Sequence, residues 1–111
     1  MEMHEEQVGG VTVLAVKGRL DSTTAPLLGA RLESVMAQPG GSVVVDFANV
    51  EYVSSAGFRV LLIAAKRADE SASRLVLAGL SAKVRHLFDL GGFLDLFSIT
   101  ASREEALKAA S

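Results

Sequence analysis

The chain is 111 residues long, the usual size of one domain, and half of it is hydrophobic with only 5% aromatic, which argues against general disorder and predicts a core of Val, Leu, Ile and Ala. A formal net charge of −2 gives no electrostatic case for nucleic acid or an anionic membrane. The absence of cysteine excludes disulfides, thiol catalysis and cysteine-based metal sites, and suits a reducing cytoplasm.

The first residues, MEMHEEQVGG, are acidic and polar, unlike a signal peptide. Residues 2–8 predict a short edge strand, turned at Gly9-Gly10 into the β-branched run Val11 to Val16. Gly18-Arg19-Leu20-Asp21 is expected to leave that strand. Ser22, Thr23 and Thr24 offer capping hydroxyls, and Pro26 suits a first helical turn, where its missing N–H costs little. Leu27, Leu28, Leu32 and Val35 carry a helical pattern to about Gln38, which Pro39-Gly40-Gly41 ends.

Val43-Val44-Val45 predicts a buried strand closed by Asp46, with Val50, Tyr52 and Val53 as packed loop residues. Phe58, Leu61, Leu62, Ala65 and Ala68 then recur on one helical face, while Arg59, Lys66, Arg67 and Glu70 fall on the wet side. Leu75 to Ala78 is a third core strand. Ser81 caps a helix through Val84, Leu87 and Phe88, and Gly91-Gly92 stops it. Phe93, Leu94 and Leu96 read as core or interface. Phe97 to Ile99 is a last short strand, and Ser102 with Glu105 opens a final helix as a capping box.

The order β(β)αβαβαβα predicts a single α/β domain over residues 1–111, with a mixed sheet of about 4–5 strands and about four helices mainly covering one face. No apolar stretch reaches the ~18–20 uncharged residues of a membrane span, so no membrane insertion is expected.

Catalytic and ligand motifs are missing. There is no phosphate loop, no GxGxxG, no HExxH and no GxSxG elbow, and neither His4 nor His86 has a neighbour at metal-ligand spacing. No metal or cofactor is expected, and a binding protein is expected before an enzyme.

The informative stretch is DFANVEYVSSAGFRVLL, residues 46–62. Ser54 or Ser55 can cap the helix that begins near Ala56, worth roughly 1 kcal/mol. Gly57 fits a simple cap poorly, because glycine in a first turn weakens a helix. It makes sense if another surface must approach the backbone closely. A phosphate on a serine here would face free N–H groups and the positive end of the helix dipole. The fold would tolerate it, while a partner would meet about −1.5 to −2 of new charge at about pH 7. Arg59, one turn along, is placed to pair with that phosphate.

GRLDSTTAPLL at 18–28, VVVDFANVEYVSSAGFRVLL at 43–62 and LVLAGLSAKVRHLFDLGGFLDLF at 75–97 resemble the STAS family, specifically bacterial anti-sigma factor antagonists. The resemblance implies a binding protein that captures an anti-sigma factor, a serine kinase of the histidine-kinase-like ATPase type, and so frees a sigma factor. It implies that phosphorylation of a hydroxyl at the start of this helix breaks the complex, and that a metal-dependent serine/threonine phosphatase restores it.

The family pattern is Asp-Ser-[Ser/Thr]-Gly, with phosphate on the hydroxyl before the glycine. Here Ser54 stands at the aspartate, Ser55 at the next serine, Ala56 at the acceptor, and Gly57 matches. The resemblance therefore makes Ser55 the first-choice phosphorylation site and Ser54 the second. It implies a partner-binding surface of Asp21, Ser54, Ser55, Ala56, Gly57 and Arg59. The alternatives are a STAS scaffold that is never phosphorylated, and a STAS subunit of a lipid-transport or larger signalling complex.

Overall fold

A computed structural model describes all residues from Met1 to Ser111. Five strands form one sheet in the order of the chain: β1 (Glu2–Val8), β2 (Val11–Leu20), β3 (Val43–Val53), β4 (Leu75–Ala78) and β5 (Ser98–Thr100). β1 and β2 pair antiparallel, and every later neighbour is parallel. The parallel steps are bridged by α1 (Ala25–Met36), α2 (Ser55–Glu70) and α3 (Ala82–Leu90), and α4 (Arg103–Ala110) ends the chain.

The sheet buries both faces unequally, because alternate side chains of a strand point to opposite sides. Leu14, Val16, Leu20, Val43, Val45, Phe47, Val50 and Leu77 pack against Leu28 and Leu32 of α1, Phe58 and Leu61 of α2, and Val84 and Phe88 of α3. Val11, Val13, Val44, Val76 and Ala78 take the other face, which α4 covers with Ala106 and Ala110. Three helices thus lie on one face and one on the other, as the mixed α/β domain mainly covered on one face requires. Each fully buried aliphatic side chain stabilises the fold by roughly 1.5–3 kcal/mol.

Both central strands run further than expected. β2 does not end before Gly18. It continues to Leu20, with register irregularities between Ala15 and Lys17 and between Gly18 and Arg19. Gly18 takes a φ of +105°, which a glycine adopts without strain, so the strand bends and resumes. β3 likewise passes Asp46 and keeps Val50, Tyr52 and Val53 in the ladder, Tyr52 opposite Arg19 and Val53 opposite Leu20. These residues are strand, not packed loop, because the prolonged β2 supplies their partners.

The helix starts are mostly as read. Ser81 Oγ accepts the Val84 N–H at 3.2 Å. Ser102 Oγ accepts the Glu105 N–H at 3.1 Å, and the Glu105 carboxylate answers the Ser102 hydroxyl. At α1 no side chain caps the helix: the Asp21 carboxylate accepts the N–H groups of Thr23 and Thr24 in the turn before it, and the Asp21 backbone carbonyl accepts the Ala25 N–H at 2.7 Å. On α2 the buried stripe is Phe58, Leu61, Ala64 and Ala68. Leu62 and Ala65 are only half-buried, because the helix is rotated slightly from the face the periodicity suggested.

α4 is clamped by charge as well as packing. Arg103 Nε donates to Asp46 Oδ2 at 3.0 Å, and its guanidinium also pairs with Glu6. Burial works against the charged guanidinium, but the bonds and charges of Asp46 and Glu6 outweigh it and raise its pKa.

Candidate functional site

The long β2 and β3 carry their ends to one rim of the sheet, and α2 begins there. Ser54 follows the last residue of β3 in an extended conformation, φ −87° and ψ 174°. Its N–H donates to the Leu20 carbonyl at 2.8 Å, tying the start of α2 to the end of β2. Its carbonyl accepts the Phe58 N–H at 3.0 Å, the first bond of the helix. Its Oγ accepts the Gly57 N–H at 3.4 Å, a long cap.

Ser55 is the first residue of α2 and is exposed. Its hydroxyl has no partner in the chain, whereas that of Ser54 is engaged as the cap. The N–H groups of Ser55 and Ala56 also find no acceptor in the chain, as expected for a helix start. One rim position therefore combines a free hydroxyl, free amides and the positive end of a helix dipole.

Gly57 does not serve as a contact for an outside surface. It is buried, and a Cβ there would stand 2.9 Å from Leu20 Cγ, the Leu20 carbonyl oxygen and Val53 Cγ1. The close approach that requires glycine is made by the chain's own β2 and β3. Gly57 shapes the site from behind, while Ala56 is half-buried and packs at the edge of the core.

Asp21 lies on the same rim, one residue past the carbonyl that anchors Ser54. Its Oδ1 accepts the N–H groups of Thr23 at 3.0 Å and Thr24 at 3.2 Å. The Thr24 hydroxyl accepts the Asp21 N–H at 2.9 Å and donates to the Arg19 carbonyl at 2.7 Å. The Thr24 and Thr23 N–H groups hold the Asp21 carboxyl below its ordinary value. Desolvation opposes them, and the Thr24 hydroxyl and the Arg19 charge add smaller lowering contributions. Asp21 is therefore a turn-forming carboxylate, and all its bonds within the chain fall on Oδ1. Beside it, the Arg19 guanidinium lies 4.4 Å from the centre of the Tyr52 ring.

Arg59 is exposed on α2 one turn after Ser55, and no ion pair of the chain includes it. Ser55 and Arg59 both line a shallow apolar groove with Phe58, Leu62, Ile63 and Phe93. The Phe58 and Phe93 rings stack there with centroids 4.5 Å apart.

The structure thus brings five of the six sequence-read residues to an accessible rim and turns Gly57 inward. Sequence reasoning missed Leu20, Arg19 and Tyr52 as builders of the rim. The cross-strand register that unites them carries no local signature. No group of three or more metal-ligating side chains is present, and no helix is long and apolar enough to cross a membrane.

BtrV of Bordetella bronchiseptica, provisionally named an anti-sigma factor antagonist, is 34% identical over 109 residues, covering 98% of this chain and 94% of its own. The anti-sigma-B factor antagonist of Listeria monocytogenes is 31% identical over 99 residues, covering 89% and 86%. The Bacillus cell fate determinant SpoIIAA, solved in its phosphorylated form, superimposes with a TM-score of 0.74 at 21% identity, over 99% of this chain and 100% of its own. The family profile of the STAS domain matches residues 2–106, and the chain belongs to the STAS domain family.

Proposed function

We propose that this chain is an anti-sigma factor antagonist whose docking is switched off by phosphate on Ser55. The partner in this reading is an anti-sigma factor that is also a serine kinase of the histidine-kinase-like ATPase type. The unmodified chain binds it and frees a sigma factor. In the switching step Ser55 Oγ forms a bond to the γ-phosphorus of ATP, and the bond from that phosphorus to the β–γ bridging oxygen breaks. ADP leaves, and the hydroxyl proton passes to a base of the kinase. A metal-dependent serine/threonine phosphatase hydrolyses the ester and returns the chain to its binding form. The setting is the cytoplasm.

The observation that carries this reading is the contrast between the two serines. Ser55 is exposed with a free hydroxyl, and Ser54 is half-buried and spends its oxygen on the Gly57 N–H. A phosphate on Ser55 would sit against unpaired amides and the helix dipole, so the fold would tolerate it. A docked partner would meet about −1.5 to −2 of added charge at about pH 7. The names of the Bordetella and Listeria relatives support the partner class. Ala56, at the family's usual acceptor position, favours a second reading, an unmodified scaffold or a subunit of a lipid-transport or larger signalling complex.

The test is to incubate the purified chain with ATP and the anti-sigma kinase of its own host, then map phosphate by tandem mass spectrometry. Phosphate on Ser55 is expected. No phosphate, or phosphate confined to Ser54, overturns the switch.

A further inference from the structure

The two ends of the chain bury little, and one side chain joins them. β1 has no buried residue; within it only Met3 packs against the main core, and Val8 is 37% exposed. α4 is eight residues long, too short to hold its helix alone. It buries only the methyl groups of Ala106 and Ala110, with Leu107 and Ala109 partly covered.

Polar ties do the remaining work. Gln7 Nε2 donates to Thr12 Oγ1 at 2.8 Å, and Arg31 of α1 pairs with Glu5 on one face of the sheet. On the other face Arg103 of α4 pairs with Glu6 of β1 and with Asp46 of β3. β2 lies between those two strands, so the guanidinium spans it. At the far end of α4, Arg74 Nη1 donates to the Ala109 carbonyl at 3.0 Å.

Helix formation does not account for Arg103. It is the first residue of α4, where the positive end of the dipole disfavours a cation and suits Glu104 and Glu105. Two carboxylates on separate strands do account for it. The Asp46 side chain is 16% exposed and that of Glu6 43%, so salt weakens the arm to β1 before the arm to β3.

We infer that Arg103 is the pin of a salt-sensitive latch between the two ends of the chain. When it is released, α4 and β1 open together while β2 to β5 stay paired, and opening uncovers the valine face of Val11, Val13, Val44 and Val76. Segments with few buried contacts and solvent-exposed ties open at the lowest free energies, and a shared tie makes their openings one event. The latch does not depend on Ser55, on phosphate or on a partner, so it stands apart from the proposed function.

Glu5 and Glu6 supply the control. They are adjacent in β1 but point to opposite faces, Glu5 to α1 and Glu6 to α4. Losing either loosens β1, and only the loss of Glu6 reaches α4.

The test is native-state amide hydrogen exchange of the whole chain, read by NMR with β3 as the internal reference. Between about 0.1 M and about 1 M sodium chloride the screening length falls from about 10 Å to about 3 Å. Exchange in β1 and α4 of the wild type should speed by up to about fivefold, the ceiling for a partly exposed ion pair, with β3 unchanged. At low salt Glu6→Gln should speed exchange in α4 about two- to fivefold, and Glu5→Gln should speed β1 alone. Arg103→Gln should speed both, and its α4 should no longer respond to salt. Wild-type α4 indifferent to salt, α4 unmoved by Glu6→Gln, β1 unmoved by Arg103→Gln, or α4 moved equally by Glu5→Gln and Glu6→Gln overturns the latch. The salt series on the wild type needs no variant, and unchanged β3 amide shifts show that each variant is folded.

Discussion

The Leu20 carbonyl accepts the Ser54 N–H at 2.8 Å, so the end of β2 holds the residue that opens α2. Two other parts of the chain meet at the same point. The Leu20 side chain fills the space behind Gly57, and the Asp21 carboxylate holds the turn that leads from Leu20 to α1. The start of α2 is therefore seated against the sheet and is not a free helix end. An exposed Ser55 on a fixed seat is what a phosphorylation switch needs, because charge can change without the fold moving.

The seat predicts a cost for Gly57→Ala. A helical alanine is intrinsically better than glycine by about 1 kcal/mol. The added methyl would stand 2.9 Å from a backbone oxygen that cannot move without breaking the Leu20–Ser54 bond. Overpacking should win, with a net loss of about 1–2 kcal/mol. Urea denaturation measures it, and amide spectra should show displacement confined to Leu20 and residues 53–58.

The two serines should separate on stability. Ser54→Ala removes the cap, and at 3.4 Å that bond is long, so the expected loss is about 0.5–1 kcal/mol. Ser55→Ala removes an exposed hydroxyl with no partner and should change stability by less than about 0.5 kcal/mol in either direction. Thermal or urea unfolding of both variants checks the order, and a larger loss at Ser55 would contradict it.

Asp21 should make stability pH-dependent. Its folded pKa is lowered from 3.8, so its contribution is present above the unfolded value and is lost as pH falls through the folded one. Wild type should exceed Asp21→Ala in urea midpoint near neutral pH, and the gap should close in acid. A gap that widens in acid would assign the effect to another group.

Arg103→Ala should loosen α4 more than the domain. Its pairs with Asp46 and Glu6 are partly exposed, with Arg103 and Glu6 side chains 36% and 43% accessible, so the global loss should stay within about 1 kcal/mol. Hydrogen exchange should accelerate in residues 103–110 first, because the start of the helix then loses its tie to Asp46 and Glu6 and is held only by the packing of Ala106, Leu107, Ala109 and Ala110 and the Arg74 bond to the Ala109 carbonyl.

The elements of this fold were legible because their signals are local. Alternating Val and Leu runs, Ser81 and Ser102 as caps, and Pro26 in a first turn each speak for their own segment. The extents of β2 and β3 were not, because Gly18 and Asp46 look like endings when read singly. Both strands continue because each finds a partner in the other, and no local pattern encodes that pairing. The site divided in the same way. Ser54 and Ser55 were legible as a helix start. That Gly57 faces inward depends on Leu20 and Val53, and the groove depends on Phe93 returning to stack on Phe58. Those are contacts of the folded chain.

The most direct measurement is calorimetric titration of the host's purified anti-sigma ATPase with wild type, Ser55→Ala and Ser55→Asp. Wild type and Ser55→Ala should bind alike, and Ser55→Asp should lose about tenfold or more, equivalent to about 1.4 kcal/mol. Equal affinity of all three would show that charge at Ser55 does not control docking, and absence of binding by wild type would contradict the antagonist reading itself.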